Sequence, residues 1–303
     1  MVDVNILLDA LVYSNMLALL SLSLTLTIMT LKVANFAHGD LAIVGVYGAY
    51  TLMVVMGVAT YLTLPVAFLF GGVYALLCYV LIYSPMRRRG ASFVMLMIAS
   101  MAIDIATRSL IQIYADLMKF HLKVYSRAFI FNDVMLNILG VEVRGIVVFS
   151  TLSVAVLLSL LYILLMKTKF GIAMRAAIEN PPLAEVLGIN VERVYAISWF
   201  LAGGFAGVAG FFLPFRIPTS PDLGFIILLP IFAASILGGI NSLPGAVIGG
   251  YVVGISEILG TYLLSQPPIN MSTAYRPAIP FAILILTLLL LPRGIASIWS
   301  RGD

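Results

Sequence analysis

Long apolar segments constrain the fold of this chain more than any other feature of its sequence. A helix needs about 20 mainly apolar residues to cross the hydrocarbon core of a bilayer. Hydrophobic residues make up 62% of the chain and charged residues only 10%, which excludes a soluble globular domain. Nine apolar segments follow one another, at residues 11–31, 41–58, 61–83, 92–114, 145–166, 194–213, 223–237, 243–264 and 277–291.

These segments predict the fold class. We expect an all-α, polytopic membrane protein, a helical bundle of about eight to nine transmembrane helices in a single domain over residues 1–303. Segments 41–58 and 223–237 are short and interrupted by glycine. Broken or re-entrant helices are therefore expected at these two places.

The few polar residues exclude several classes of function. Cys78 is the only cysteine, and no Cys or His cluster offers a metal site, so we expect neither an internal disulfide nor a bound metal. No basic stripe with interleaved aromatic residues points to a nucleic-acid partner. The sequence also lacks a GxxxxGKS or GxxxxGKT motif and any polar stretch long enough to bind ATP. No cofactor is expected in this chain, and ATP and Mg²⁺ would have to bind to partner subunits.

Lysine and arginine in the short loops predict the orientation, because cytoplasmic loops carry an excess of both. With the N-terminus outside and strict alternation, the basic residues on the cytoplasmic side are Lys32, Arg87, Arg88, Arg89, Lys167, Lys169, Arg175, Arg193, Arg293 and Arg301. Those on the other side are fewer, namely Lys119, Lys123, Arg127, Arg144, Arg216 and Arg276. We therefore predict a multi-pass protein of the cytoplasmic (inner) membrane with its N-terminus outside and its C-terminus in the cytoplasm. Residues 115–144 then form an extracytoplasmic loop and residues 167–193 a cytoplasmic one.

The cytoplasmic loop reads KTKFGIAMRAAIENPPLAEVLGINVER and contains the start and stop signals of short helices. Asn180 can cap a helix, Pro181 suits its first position, and Gly188 suits the left-handed residue that follows a helix. The pattern predicts helices over 171–178 and 181–187.

The second of these helices has one apolar face. Leu183, Ala184 and Leu187 share that face at spacings of three and four, and Glu185 points away from it. An apolar ridge with a charged rim suits insertion into a groove on a partner protein. The alternative is an amphipathic loop that lies on the lipid headgroups.

Four stretches of the sequence resemble one known family. The loop sequence RAAIENPPLAEVLGI is similar to the ATPase-coupling loop of ABC importer permeases of the branched-chain amino acid (LivH-type) family. NFAHGDLAIVGVYGAY, SPMRRRGAS and ILGGINSLPGAVIGGYVVGISE agree with the same family in order and spacing. The resemblance covers nearly the whole chain.

The resemblance implies a membrane subunit of a multi-chain importer that takes up branched-chain or related amino acids, with no enzymatic activity of its own. Its partners would be a second permease subunit, two cytoplasmic ATPase subunits and an extracytoplasmic substrate-binding protein. The ATPases would dock on the loop at Arg175, Glu179, Leu183, Glu185, Leu187 and Gly188.

Two other functions stay open at this point. Sister families of similar architecture import other small solutes, such as an amide, urea or a sugar. A stand-alone secondary carrier or channel would need no partners, and the carboxylates of Asp104 and Glu257 could couple such a carrier to ions or protons. The docking loop argues against that second alternative.

Two polar sites within the apolar sequence are candidates for the substrate pathway. In NFAHGD, Asn35, His38 and Asp40 offer polar groups, and Gly39 allows a close approach of the backbone. No nucleophile accompanies them, which argues against catalysis. They could instead form a capped helix turn near the membrane surface, but the family resemblance favours a place on the substrate pathway. The second candidate site consists of Asn241 and Ser242, which could hydrogen-bond a solute or cap the next helix.

Charged residues inside the membrane form a third group. Asp104 and Arg108 are four residues apart and can pair on one helix face. At 1.5 Å per residue, Glu257 would lie at a similar depth to Arg108. We expect Arg108 to be neutralised by Asp104, by Glu257 or by both, either to hold helices together or to contact substrate.

Overall fold

The computed structural model describes residues 4–138 and 140–299, and almost all of them are helical or join helices. Arg301, which was assigned to the cytoplasmic side, lies outside the described residues. The α-helices of the described ranges are α1 (Val4–Leu31), α2 (His38–Met56), α3 (Leu64–Cys78), α4 (Ser84–Arg88), α5 (Phe93–Leu122), α6 (Gly145–Lys167), α7 (Lys169–Glu179), α8 (Pro181–Val186), α9 (Val191–Phe211), α10 (Leu223–Gly238), α11 (Leu243–Ser265), α12 (Ala278–Leu290) and α13 (Ala296–Trp299).

Eight helices of the described ranges are long and apolar enough to cross a membrane, and α10 is a shorter apolar helix. The prediction of about eight to nine membrane helices is thereby confirmed. The third span runs from Thr60 to Arg88 and joins a 3-10 turn, α3, a π-helical turn at Tyr79–Tyr83 and α4. The break expected in segment 41–58 is absent, because α2 is continuous from His38 to Met56, and α10 is likewise one continuous, though short, helix over segment 223–237.

The spans alternate between two ends of the bundle. We call the end that carries α7 and α8 the loop face. The opposite end carries a hairpin of two antiparallel strands, β1 (Met135–Ile138) and β2 (Val141–Arg144), and we call it the hairpin face. Asp9, near the start of α1, pairs with Arg144 and Arg216 at the hairpin face. At the other end of the chain, Ile295 donates a backbone hydrogen bond to Leu237 at the loop face (2.8 Å). The two ends of the described chain therefore lie on opposite faces.

Helices α1 and α9 form the centre of the bundle. Of their most apolar windows, 83% and 78% of the residues are buried, against 22% for α6 and 11% for the last span. Glycine allows the close contacts of α9: a Cβ at Gly203 would overlap the backbone of Gly71, and one at Gly207 would overlap the backbone of Ala67. These small residues thus allow the α3 and α9 backbones to approach closely.

The polar region 115–144 begins as helix. Helix α5 extends to Leu122, because a helix that leaves the bilayer can continue with polar residues such as Asp116 and Lys119. The rest of the region folds over the hairpin face, where Asp133 accepts hydrogen bonds from the Tyr61 hydroxyl (2.5 Å) and the Ile146 N–H (3.2 Å).

The connection between α1 and α2 turns back into the bundle. The His38 side chain is fully buried and its Nε2 lies 2.7 Å from Oγ of Ser23. Ser23 is eight residues before the end of α1, which corresponds to a depth of about 12 Å at the rise of an α-helix. Residues 32–37 therefore place irregular backbone inside the protein, where other helices can satisfy its polar groups.

Candidate functional site

The loop between α6 and α9 forms the two expected helices, α7 and α8, within two residues of their predicted bounds. The Asn180 side chain accepts a hydrogen bond from the N–H of Leu183 (3.2 Å), and Pro181 occupies the first position of α8. Gly188 follows the helix with a φ of 81°, in the left-handed region that favours glycine. The cap, the first position and the left-handed glycine predicted for α8 are therefore all observed.

The outward face of α8 is an exposed apolar ridge. Leu183 is 54% exposed, Val186 82% and Leu187 70%. Ala184 is only 1% exposed and packs into the bundle, so the prediction that it shares a face with Leu183 and Leu187 is wrong. Successive helical residues are about 100° apart, and Val186 completes the ridge in its place. Glu185 lies exposed beside the ridge.

The other residues predicted for ATPase coupling lie on the same surface but differ in how they are held. Glu179 and Gly188 are exposed. Arg175 is also exposed, yet its Nη1 donates to the carbonyl of Leu165 at the end of α6 (2.5 Å). The guanidinium of Arg175 therefore helps to fix α7 against α6.

A cluster around Glu192 connects the start of α9 to the end of the third span. The Glu192 carboxylate accepts hydrogen bonds from the hydroxyls of Tyr79 (2.8 Å) and Ser84 (2.7 Å) and forms an ion pair with Arg87. The guanidinium carbon of Arg87 lies 4.8 Å from the centre of the Tyr195 ring. We call these five residues the Glu192 cluster.

The Glu192 cluster contacts both the loop and the interior of the bundle. The Tyr195 hydroxyl donates to the carbonyl of Ala177 in α7 (2.8 Å). Towards the interior, the ring of Trp199 lies 4.7 Å from that of Tyr83, whose hydroxyl donates to Oδ1 of Asn35 (3.2 Å). A continuous set of contacts thus joins α7 to the segment that carries NFAHGD.

All of the NFAHGD residues except the partly exposed Phe36 are buried in the bundle. Oδ1 of Asn35 accepts a hydrogen bond from the N–H of Ala37 (3.2 Å), so this amide does stabilise the turn before α2. Gly39 packs directly on the backbone of Gly224 at the start of α10, where a Cβ would overlap it. Asp40 is 1% exposed and lies next to Gly224.

Asp40 belongs to a group of charges with Asp104 and Arg108, which we call the central charge cluster; both carboxylates are buried and Arg108 is partly exposed. Nη2 of Arg108 donates to Oδ2 of Asp104 (2.6 Å), the contact expected from their spacing. Asp40 lies close enough to interact electrostatically with both. With the carboxyls ionised, neither oxygen of Asp40 nor Nε of Arg108 has a hydrogen-bond partner in the described chain. The guanidinium of Arg108 also lies 4.8 Å from the centre of the Phe225 ring.

Glu257 is not a partner of Arg108, which corrects the sequence-based expectation. Its carboxylate accepts hydrogen bonds from Arg276 (2.5 Å) and from the Tyr13 hydroxyl (2.9 Å), near the hairpin face. Equal depth in the membrane says nothing about lateral position, and small residues such as Gly254 pack α11 against α1 rather than α5. Neither Arg276 nor Tyr13 was considered as a partner from the sequence.

Asn241 and Ser242 lie apart from Asn35 and Asp40. They form the turn between α10 and α11, and Ser242 caps α11 by accepting a hydrogen bond from the N–H of Gly245 (3.1 Å). Both line a cavity of about 600 Å³ between α1, α6, α7 and α11 at the loop face. The predicted pathway residues therefore divide into a group in the interior and a group beside the loop.

Comparison with known proteins identifies relatives along the full chain. The family described as branched-chain amino acid transport system, permease component, matches residues 6–288. The probable branched-chain amino acid transport permease protein LivH of Methanocaldococcus jannaschii is 44% identical over 293 residues, which are 96% of this chain and 92% of the relative. The high-affinity LivH permease protein of Salmonella typhimurium is 28% identical over 92% of this chain and 90% of its own length.

A more distant relative covers less of the chain. The nucleoside ABC transporter permease protein NupC of Lactococcus lactis is 35% identical over 130 residues, 36% of this chain and 39% of its own. No solved structure is a significant match.

Proposed function

The chain belongs to the branched-chain amino acid transport permease family as the permease component of an ABC transport system, and from this premise we propose how its surfaces work. It is a multi-pass membrane protein and a transport subunit rather than an enzyme. The proposal concerns its partners, its orientation and the route of the substrate.

The loop of residues 167–193 docks cytoplasmic ATPase subunits. One observation carries this assignment: the ridge of Leu183, Val186 and Leu187 is exposed on a helix that is capped at both ends. Exposed apolar side chains on an ordered helix outside the bilayer fit the helix-in-groove mode of recognition. Two ATPase subunits, which bind ATP and Mg²⁺, a second permease subunit and an extracytoplasmic binding protein complete the transporter.

Movement of the docked loop reaches the interior through the Glu192 cluster. Tyr195 holds α7, and Arg87 and Glu192 hold the third span to α9. Because these contacts are short and partly buried, α7 and the ends of both spans are expected to move as one body when ATP is hydrolysed. Such a lever would switch the pore between outward and inward access.

The loop face is cytoplasmic in this proposal. The described lysines and arginines near the loop face are Lys32, Arg87, Arg88, Arg89, Lys167, Lys169, Arg175, Arg193 and Arg293. Those near the hairpin face are Lys119, Lys123, Arg127, Arg144, Arg216 and Arg276. The excess at the loop face supports this orientation in the cytoplasmic (inner) membrane, with the start of α1 outside.

The interior residues Asn35, His38, Gly39 and Asp40 are proposed to border the route of the substrate. They lie at the place where irregular backbone enters the bundle, and irregular backbone at membrane depth is typical of sites that bind or conduct polar solutes. Asn241 and Ser242, which line the cavity beside α7, would lie at the cytoplasmic end of that route.

Co-purification with the ATPase subunits tests the docking surface. Leu187→Asp places a charge in the ridge and is expected to abolish capture of the ATPases, while the permease itself remains monodisperse in detergent. Met135→Asp is the matched control, because Met135 is an equally apolar residue, 65% exposed at the hairpin face. Equal ATPase capture by the wild type and Leu187→Asp would rule out the ridge as the docking surface.

A further inference from the structure

The central charge cluster carries an excess of negative charge. Asp40 and Asp104 face a single cation, Arg108, which gives the three side chains a formal charge of −1 when all are ionised. Asp222, the other charged group that interacts with Asp40, is also acidic and adds no compensation. Uncompensated charge inside a membrane protein is costly and usually marks a functional site.

The excess charge can be assigned to Asp40. Arg108 already pairs with Asp104 at 2.6 Å, whereas both oxygens of Asp40 lack a donor when the carboxyls are ionised, and the Asp40 carboxyl lies within hydrogen-bonding reach of Asp104. Asp40 is only 1% exposed, so bulk water does not compensate it. Arg108 in turn keeps one unpaired donor, Nε. The cluster therefore has an unsatisfied acceptor on one side and an unsatisfied donor on the other.

An apolar cavity lies next to this cluster. It has a volume of about 330 Å³ and lies between α2, α3 and α5. Its walls include Val44, one helical turn beyond Asp40, and Ile111, about one turn beyond Arg108. Phe70 and Leu110, which are 53% and 58% exposed, contribute further apolar surface where the cavity opens to the outside of the bundle. The volume is at the lower end of the range for small-molecule sites, which suits a ligand of the size of a single amino acid.

Two hydroxyl groups separate the cavity from Asp40. The Tyr74 hydroxyl lies 2.6 Å from that of Thr107, and both residues line the cavity. Tyr74 is also close enough to Asp40 to interact with it electrostatically.

We propose that the central charge cluster and the adjoining cavity form a binding station for one zwitterionic α-amino acid inside the permease. The α-ammonium group binds Asp40 and Asp104, the α-carboxylate binds Arg108, and the branched side chain occupies the cavity. The assignment rests on the proposed function only for the presence of an amino acid in the membrane pathway. A lipid acyl chain could fill the apolar walls, but it would leave the charges of Asp40 and Arg108 unmatched.

Each part of the ligand can be tested separately with three compounds. L-leucine carries both charges, 3-methylbutylamine carries only the ammonium group and 4-methylpentanoate carries only the carboxylate. The purified transporter complex, without the binding protein, is heated with increasing concentrations of each compound. A ligand that binds only the folded protein raises the melting temperature in a concentration-dependent way.

The variants Asp40→Asn and Arg108→Gln separate the two charges, with Asp116→Asn as the matched control. Asp116 lies on the same helix as Asp104 but is exposed and pairs with Arg127 near the hairpin face. We expect leucine to stabilise the wild type and the control equally. In Asp40→Asn the concentration of 3-methylbutylamine for half-maximal stabilisation should rise at least about tenfold, because a charged hydrogen-bonding group is lost. Arg108→Gln should weaken 4-methylpentanoate to a similar degree and should not weaken the amine, because it frees Asp104 from its cation.

Two outcomes would overturn the binding station. If none of the three compounds stabilises the wild type, a proton neutralises the excess carboxylate charge or the cluster only holds the helices together. If Asp40→Asn responds to the amine as the wild type does, the ammonium group binds elsewhere. Should Asp40→Asn fail to assemble, Asp104→Asn replaces it with the same expectation. ATPase capture by the wild type tests the proposed docking separately, so the two failures remain distinguishable.

Discussion

Several side chains from different parts of the chain meet at Glu192. Tyr79, Ser84 and Arg87 all contact its carboxylate, and they lie more than 100 residues away in sequence. The Glu192 side chain is 23% exposed and that of Arg87 is 28% exposed, so both charges are largely removed from water. A residue so placed fixes the relative position of two membrane spans.

Replacement of Glu192 by glutamine should destabilise the permease. Glutamine keeps the shape but leaves the partly buried Arg87 without its counter-ion, which should lower the free energy of unfolding by about 1–3 kcal/mol. The measurement is the unfolding midpoint of the purified chain in detergent. Glu185→Gln, on the exposed rim of α8, should change the free energy of unfolding by less than about 0.5 kcal/mol. Equal effects of the two substitutions would contradict the role assigned to Glu192.

The Glu192 and Asp40 environments could not be predicted from the sequence. Glu192 follows the cap Asn190 and has the ordinary pattern of an acidic residue in a first helical turn, which was the only local signal. The Asp104–Arg108 pair could be predicted because both residues lie one turn apart on α5. That Asp40 lies beside this pair depends on the contact between Gly39 of α2 and Gly224 of α10, which only the folded chain reveals.

At the scale of single elements, α8 is the helix whose structure follows most directly from its own residues. Asn180 and Pro181 start it and Gly188 ends it, so both ends are set within a stretch of nine residues. Its burial was less predictable, because the packing of the loop decides that Ala184 points inwards and Val186 outwards. The end of α5 could not be predicted in this way. The helix continues to Leu122, past the apolar segment 92–114, so hydropathy alone predicts a helix that is too short.

Loss of the α8 cap should loosen this helix without unfolding the bundle. Asn180→Ala removes the acceptor for the N–H of Leu183, which costs about 1 kcal/mol. Hydrogen exchange of the backbone amides in residues 183–187 should therefore accelerate about fivefold, while α9 is unchanged. Mass spectrometry of peptic peptides measures both regions at once. Asn132→Ala, at an exposed position on the hairpin face, is the control and should leave exchange in α8 unaltered. Unchanged exchange in Asn180→Ala would show that tertiary packing, not the cap, holds α8.

The whole molecule is arranged around two faces with different charge. Strict alternation of the spans places the start of α1 and the end of α12 on opposite faces, as expected for an odd number of crossings that includes the short α10. The number of spans and the two helices of the loop 167–193 could be predicted from hydropathy and local motifs. The lateral order of the helices could not, because it depends on contacts between small residues such as Gly207 and Ala67.

Cysteine labelling should establish the orientation. Cys78 is the only cysteine and is buried, so Cys78→Ala provides a background free of thiols. A cysteine at Glu142, exposed on the hairpin, should react with a membrane-impermeant maleimide in intact cells. A cysteine at Arg89, exposed at the loop face, should react only after the membrane is permeabilised. The reverse pattern would place the loop of residues 167–193 outside the cell and contradict ATPase docking there.

Uptake of labelled L-leucine into proteoliposomes that contain the complete transporter tests ATP-driven import by this permease most directly. If this chain is the permease of an ATP-driven importer that is coupled through α8, uptake requires ATP, the ATPase subunits and the binding protein. Leu187→Asp should then abolish uptake, and Met135→Asp should retain it. Leucine flux through this chain alone, without ATPases and driven only by the leucine gradient, would contradict the account.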